Sequence, residues 1–407
     1  MKKKKILYIH HSTGIGGAPI SLIEIIKTLP PNEFEVEVLL LKRSDVCDLF
    51  EAAGISYKVA DHWFYKKWYL PYAHIEVGWV NVFQPLRFFY FTLSWLFSRF
   101  FAARALLRNH SADIVHLNSY ALTDFLCAAA KVAKTVIHVR EPATRGHFGI
   151  RQGIMIGQIR KYAASVIAIS KDNLARLRVD GQGYVVYNSF SPTLISQRLP
   201  SSLPNSVIYL GGVASHKGFL TLAAAAGSID PKIRIKILGY VNTDLGFEGG
   251  LMTRLRHRLK KIISLEYRKT LQALTKLKAL KNVEFIGVVK NTEKYLEESR
   301  LLLNLFTITH FSRPIIESYA VGRGVIATDV DGIDEIVNAN VTGFVVEKNN
   351  PEALADLVNR VTFDDELLDR IGRNAQELAA ARFSPENVER VVEIYRALVP
   401  IGGAICR

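Results

Sequence analysis

The sequence predicts an α/β protein of two similar halves, each a buried parallel sheet with helices between its strands. Three observations carry that expectation. The chain has 407 residues, enough for two domains with separate cores. Short apolar runs alternate with helical segments, and this alternation ends and then starts again. Between the two stretches, Ser191 to Asn205 turn to serine, proline and short polar residues, the composition of a linker. The expected domains are 1–190 and 191–384, with a last helix within 385–407 packing back on the first.

The first half opens with a strand over Lys5–His10, a glycine loop Gly14-Ile15-Gly16-Gly17, and a helical pattern over Pro19–Leu29. Further strands are expected at Phe34–Leu41, Ile114–Leu117, Thr135–Val139 and Ser165–Ile169. The second half repeats the pattern at Val207–Leu210, Ile233–Leu238, Val283–Gly287, Leu301–Phe306, Val325–Asp329 and Gly343–Val346. Helices are expected at about 217–227, 313–321, 351–361, 364–381 and 385–398.

The helix near 313 is the most informative. Proline at 314 suits a first helical turn, where its missing N–H would have had no partner, and Gly322 suits a left-handed cap. A helix N-terminus offers free N–H groups and the positive end of a dipole to an anion. Glu317 lies one turn further in, where its carboxylate can accept hydrogen bonds from hydroxyls. Phosphate at one end and a diol at the other suit a nucleotide.

Two segments look inserted. Residues 86–108 are crowded with aromatic side chains and carry no charge from Phe88 to Ser98, a run shorter than the roughly 20 apolar residues that span a bilayer. They read either as a core helix under the first sheet, or as a helix lying in a membrane interface or lining an apolar acceptor groove. Residues 251–281 carry ten Lys or Arg against Glu266 alone. With Lys2 to Lys5, that stretch holds thirteen of the fourteen net positive charges. It reads as a solvated helix or as a surface for an acidic partner such as anionic lipid. Nucleic acid is disfavoured, because the aromatic interleaving of a single-strand groove is missing. Cys47, Cys127 and Cys406 show no disulfide or zinc spacing, and Ile6–Ile9 is too short for a secretory leader. A cytoplasmic protein is expected.

Taken in order, the motifs resemble a known family. Tyr209-Leu210-Gly211-Gly212, His216-Lys217-Gly218, Ile237-Leu238-Gly239, Phe285-Ile286-Gly287, Phe311–Glu317 and Asp329–Glu335 resemble the donor-binding half of the group-4 retaining glycosyltransferases, relatives of glycogen and sucrose synthases. Gly16-Gly17, His116–Ser119, Val139-Arg140-Glu141, Ile169-Ser170 and Val186–Ser189 follow the family's order in the first half. The resemblance implies the GT-B fold, two Rossmann-like domains facing across a cleft. It implies a nucleotide-diphosphate sugar as donor, no required cofactor or metal, and a glycan or lipid-linked acceptor in bacterial polysaccharide or cell-envelope synthesis. An anionic membrane surface on the cytoplasmic side is a further expected partner.

The same resemblance implies roles where residues match. Lys217 would hold the diphosphate, Glu317 the ribose, and the N–H groups near Phe311, Ser312 and Arg313 the phosphate oxygens. Gly16, Gly17 and Gly211 would let backbone approach the donor. Three positions depart from the pattern. Gly212 stands where the family usually has arginine, and Thr309 stands where it has the first of two glutamates. Arg140, with His138 two residues before it, stands near the family's catalytic histidine. Arg140 and Arg313 are the candidates to replace the missing cation. By strand alternation His138 and Arg140 share one face at the sheet's carboxyl edge. His138 also reads as a core histidine, and Arg140 with Glu141 as a structural ion pair. His10, His11 and His116 read as packing or supporting residues.

A nicotinamide enzyme is disfavoured: Pro19 replaces the third fingerprint glycine and the second strand ends in Lys42-Arg43 without a ribose-binding acid. Two alternatives stand beside the glycosyltransferase: a nucleotide-sugar epimerase on the same fold, and a non-catalytic relative that binds sugar or lipid.

Overall fold

The computed structural model describes residues 2–400 except 12, 15, 72–84, 144–148, 180, 192–198, 240–264 and 290, and omits the side chains of 85–88. Residues 192–198 of the expected linker, residues 251–264 of the basic stretch and Cys406 lie outside the described residues. The chain divides into two compact units, Met1–Ser189 with Glu386–Arg407, and Phe190–Pro385.

The first unit is a seven-stranded sheet: β1 (Lys4–His10), β2 (Phe34–Leu40), β3 (Lys58–Val59), β4 (Ile114–Leu117), β5 (Lys134–Val139), β6 (Ser165–Ala168) and β7 (Gly183–Val185). The spatial order is β3-β2-β1-β4-β5-β6-β7 and every pairing is parallel. The second unit has six strands: β8 (Ser206–Tyr209), β9 (Arg234–Leu238), β10 (Val283–Gly287), β11 (Leu301–Asn304), β12 (Gly324–Thr328) and β13 (Gly343–Val346). Their order is β10-β9-β8-β11-β12-β13, again all parallel. In both sheets the strand order reverses beside the first strand, between β1 and β4 and between β8 and β11. Loops diverge at such a point and leave a crevice at the carboxyl edge, where open α/β sheets bind ligands. Each unit is Rossmann-like.

Period-2 alternation explains the double-sided burial of the first sheet. Leu7, Ile9, Val115, Leu117, Ile137 and Val139 enter one core. Ile6, Tyr8, Ile114 and Val136 enter the other, where the Glu389–Leu398 helix contributes Val391, Val392, Ile394 and Tyr395. The second unit packs Val207, Tyr209, Ile235, Ile237, Leu301 and Leu303 against Phe219, Leu222, Leu354, Val358 and Ile371.

Strands β3 and β7 are additions to the sequence reading. At two and three residues they are too short to show a period. The helix expected over 217–227 is interrupted. Ser215–Lys217 form a 3-10 turn, Gly218 takes φ +87°, and the α-helix starts at Phe219. The basic stretch is helical over Leu265–Lys278, with Leu274 and Leu277 buried and Arg268, Lys269, Lys276 and Lys278 exposed. The aromatic segment is helical from Pro85 to Leu107, with a π turn over Ser98–Ala102. One face belongs to the core and the other is exposed: Phe91 and Trp95 are buried, whereas Phe89, Leu93, Leu96, Phe100 and Phe101 face outward. Among the described residues no helix is long and apolar enough to cross a membrane.

The C-terminal helix is tied to the first sheet by a buried chain. The Tyr395 hydroxyl lies 3.0 Å from the Tyr8 hydroxyl and 2.6 Å from His116 Nδ1. Tyr395→Phe leaves both partners without that oxygen in a dry core. It should cost about 1–3 kcal/mol, read as a lower urea midpoint with an unchanged slope. An unaltered midpoint would show that the hydroxyl chain does not hold the helix.

Candidate functional site

At the reversal point of the second sheet, the loop after β8 is clamped against the segment after β11. The buried Tyr209 hydroxyl donates to the Lys217 carbonyl at 3.1 Å, and a Cβ on Gly211 would lie 2.0 Å from that hydroxyl. A Cβ on Gly218 would lie 2.0 Å from the Leu305 carbonyl oxygen. Across the gap the Thr307 N–H donates to the His216 carbonyl at 2.9 Å. These contacts hold Lys217, half-buried, beside the turn that carries Thr307, Thr309 and His310.

His310 is part of this site and was not singled out from the sequence. Its ring stacks on Phe306 with centroids 4.3 Å apart, and its buried Nδ1 has no hydrogen-bond partner among the described residues. Burial, then the nearby charge of Lys217 and His216, push its pKa down to about 3, so the ring is neutral near pH 7.

The Arg313–Ala320 helix opens as the proline and serine suggested, but Ser312 does not cap it. Fully buried, Ser312 donates through Oγ to Asn304 Oδ1 at the end of β11, at 2.6 Å, which anchors the helix start to the strand. Arg313 Nε donates to Glu317 Oε1 at 2.8 Å, and both side chains are largely buried. The guanidinium thus orients the carboxylate expected to meet ribose. Phe311 packs edge-on to Phe383, centroids 6.1 Å apart, so its ring serves the core. Gly322 takes φ +71° at the far end of the helix. Gly212, where an arginine was sought, takes φ +56°, and a Cβ on Gly239 would lie 2.8 Å from its nitrogen.

The first unit gathers polar groups at its own carboxyl edge. Gly16 immediately precedes the Gly17–Thr28 helix, Gly16 and Gly17 are exposed, and a Cβ on Gly16 would meet nothing within 4 Å. Packing within the unit does not require that glycine. Arg140, just past β5 and 6% exposed, donates to Asn118 Oδ1 at 2.7 Å and to Asn188 Oδ1 at 3.2 Å. One terminal nitrogen lies 3.4 Å from His138 Nδ1. Glu141 accepts instead from Ser119 Oγ and the Tyr120 N–H. Asn118 also contacts His10 Nδ1 at 3.1 Å. A cavity of about 10 Å³, lined by Ser21, His138, Arg140 and Asn188, has room for one water. His138 Nε2 has no partner among the described residues.

The structure therefore gathers Lys217, Thr309, Phe311, Ser312, Arg313 and Glu317 around one sheet edge of the second unit, with Gly211 nearby. It gathers His138 and Arg140 at one edge of the first. Asn118, Asn188 and Tyr395 were missed as members of the Arg140 surroundings, because they converge only through the fold. Among the described residues no group of three or more His, Cys, Asp or Glu side chains is placed to hold a metal ion.

Comparison with known proteins places this geometry. The family described as Glycosyl transferases group 1 matches residues 192–378, and the one described as Glycosyltransferase Family 4 matches residues 15–192. An N-acetyl-alpha-D-glucosaminyl L-malate synthase of Bacillus anthracis is 29% identical over 123 residues, 30% of this chain and 32% of that protein. A capsular polysaccharide biosynthesis glycosyltransferase of Staphylococcus aureus is 34% identical over 96 residues, 22% of this chain and 25% of that one. The chain thus spans about a third or less of the length of these two relatives. The Anabaena protein HepE, solved with UDP and glucose, superposes with a TM-score of 0.72 at 19% identity, covering 98% of this chain and all of that one. At that identity the likeness is one of fold.

Burial first, and then the charge of Arg140, hold His10 at about 3 and keep His116 and His138 well below the usual histidine value of 6.5. Unfolding lets all three take up protons below about pH 6.5, so stability should fall as pH drops from there towards 3. Urea unfolding at stepped pH checks this: the first unit loses stability towards acid, and His10→Gln makes the slope shallower. A pH-independent midpoint over that range would contradict the neutral cluster.

Proposed function

We propose that this chain, which belongs to the group-4 glycosyltransferases of the GT-B fold, moves a sugar from a nucleotide-diphosphate donor to a hydroxyl of a glycan or lipid-linked acceptor, with retention at the anomeric carbon. One observation carries the reading. Lys217, the start of the Arg313–Ala320 helix and the oriented carboxylate of Glu317 lie around one reversal point. A point cation and free amides suit a diphosphate, and a fixed carboxylate suits the ribose diol. A relative named for capsular polysaccharide biosynthesis supports a role in bacterial polysaccharide assembly. HepE's UDP supports a nucleotide-sugar donor. We read the protein as cytoplasmic.

In the reaction the bond between the anomeric carbon and the diphosphate oxygen breaks as the acceptor oxygen bonds to that carbon on the same face. The acceptor's proton passes to the departing phosphate. Lys217 and the helix amides near Ser312 and Arg313 stabilise the charge that develops on the leaving group. Glu317, held by Arg313, fixes the nucleotide. Gly16 and Gly17 leave the loop after β1 open to the sugar and diphosphate, and Arg140 with neutral His138 is assigned to the sugar. Thr309 replaces a sugar-binding carboxylate by a neutral hydroxyl, so the sugar end departs furthest from the family pattern.

A second reading is a non-catalytic sugar-binding relative, favoured by Gly212 and Thr309, where an arginine and a glutamate were expected. Sugar transfer from a panel of UDP-, GDP- and ADP-sugars separates the two. Lys217→Ala should lower kcat by about 100- to 1,000-fold, as loss of one leaving-group contact does. Glu317→Gln should weaken donor binding by about 10- to 100-fold, the value of a charged hydrogen bond. Full activity in both variants would overturn the site assignment. An inverted anomeric configuration by NMR would overturn retention.

A further inference from the structure

The outward face of the aromatic segment has no part in the proposed sugar transfer. Phe89, Leu93, Leu96 and Phe100 recur at helical spacing along the 85–107 segment and form one exposed apolar stripe. Their neighbours Phe91, Trp95, Ser98 and Ala102 form the opposite, buried stripe, so the core is already satisfied. A second element widens the exposed face. Trp63, which opens the short Trp63–Lys67 helix, and Trp68, which follows it, are 58% and 53% exposed.

The two elements form one surface. The Trp63 ring lies 5.7 Å from Phe97, which lies 5.5 Å from Phe101. The Tyr90 hydroxyl donates to the Trp68 carbonyl at 2.6 Å, and the Leu70 N–H to Ser94 Oγ at 3.3 Å. Arg99 lies over the Trp95 and Phe100 rings at 5.5 Å from each centroid. From Arg87 to Ser111 the chain carries four arginines and no acidic residue, and Lys67 extends the basic margin beside Lys66, which is paired with Asp61.

We propose that this face docks the protein on a bilayer carrying anionic headgroups, with Phe89, Leu93, Phe100, Phe101 and the two tryptophans entering the interface. Aromatic side chains with a polar tip favour that depth, and a cationic border adds attraction to anionic lipid. The charge argues against a second copy of this chain as the occupant. A two-fold contact would lay the face on itself and bring its arginines together, while Asp61, the acid beside the Trp63–Lys67 helix, is already paired with Lys66. The inference rests on the proposed lipid-linked acceptor only for its use, and its test is independent of donor chemistry.

The test is sedimentation with vesicles of phosphatidylcholine containing phosphatidylglycerol, beside pure phosphatidylcholine, at low and high salt. The protein should pellet with the anionic vesicles, less so at high salt, and tryptophan emission should shift to the blue. The combined variant Phe89→Ser, Phe100→Ser, Phe101→Ser, with unchanged far-UV circular dichroism and melting temperature, should bind at least about tenfold more weakly, since burying one large apolar side chain is worth roughly that factor. The charge variant Lys67→Gln with Arg104→Gln should lose the preference for anionic lipid and keep its fold. No pelleting of the wild type with anionic vesicles, or equal pelleting of the folded triple variant, would overturn the proposal. So would a wild-type dimer by light scattering that the triple variant abolishes. UDP-sugar binding by the triple variant, read as a thermal shift, should be unchanged, so failure here and failure of the donor assignment are told apart.

Discussion

The contact of Gly218 with the Leu305 carbonyl is the constraint on which the second unit's site depends. Only a residue without a side chain brings the loop after β8 so near the chain leaving β11. That approach lets the Thr307 N–H reach the His216 carbonyl, and it sets Lys217 beside His310. It also interrupts the helix at Gly218, whose positive φ suits glycine and strains other residues. The break in helix geometry and the placement of the cation thus have one cause. Parallel strands supply the rest, since they deliver both loops to the same edge.

A second constraint is electrostatic. Arg313 and Glu317 are nearly enclosed and one helical turn apart, so each carries the other's charge through burial. Removing Glu317 takes one partner from the nearly enclosed Arg313, so Glu317 serves the fold of its helix as well as its proposed ligand. The first unit solves a related problem differently. Arg140 is met by the amide oxygens of Asn118 and Asn188 and by histidines that burial keeps neutral.

Much of the fold was legible because buried parallel strands need continuous apolar runs. Ile114–Leu117, Val283–Gly287 and Gly343–Val346 have the expected ends, and the other expected strands shift by one or two residues. The helix at 313 was legible through Pro314 and Gly322, whose backbone preferences act locally. Strands β3 and β7 were not, since two or three residues at a sheet edge carry no period. At the site, Lys217 and Glu317 stood out through their local context. His310, Asn118 and Tyr395 did not, because their roles come from partners distant in the chain, such as His116 beside Tyr395. The aromatic segment reads either as a core helix or as one in a membrane interface or apolar groove; its Phe91 and Trp95 face is in the core and its other face is exposed.

The central claim is that the edge between β8 and β11 holds a nucleotide diphosphate. A crystal structure of the protein soaked with UDP and its sugar conjugates tests it most directly. The account predicts ribose hydroxyls within hydrogen-bond distance of Glu317, and diphosphate oxygens against Lys217 and the amides near Ser312 and Arg313. Nucleotide bound elsewhere, with Glu317 and Lys217 untouched, would contradict it.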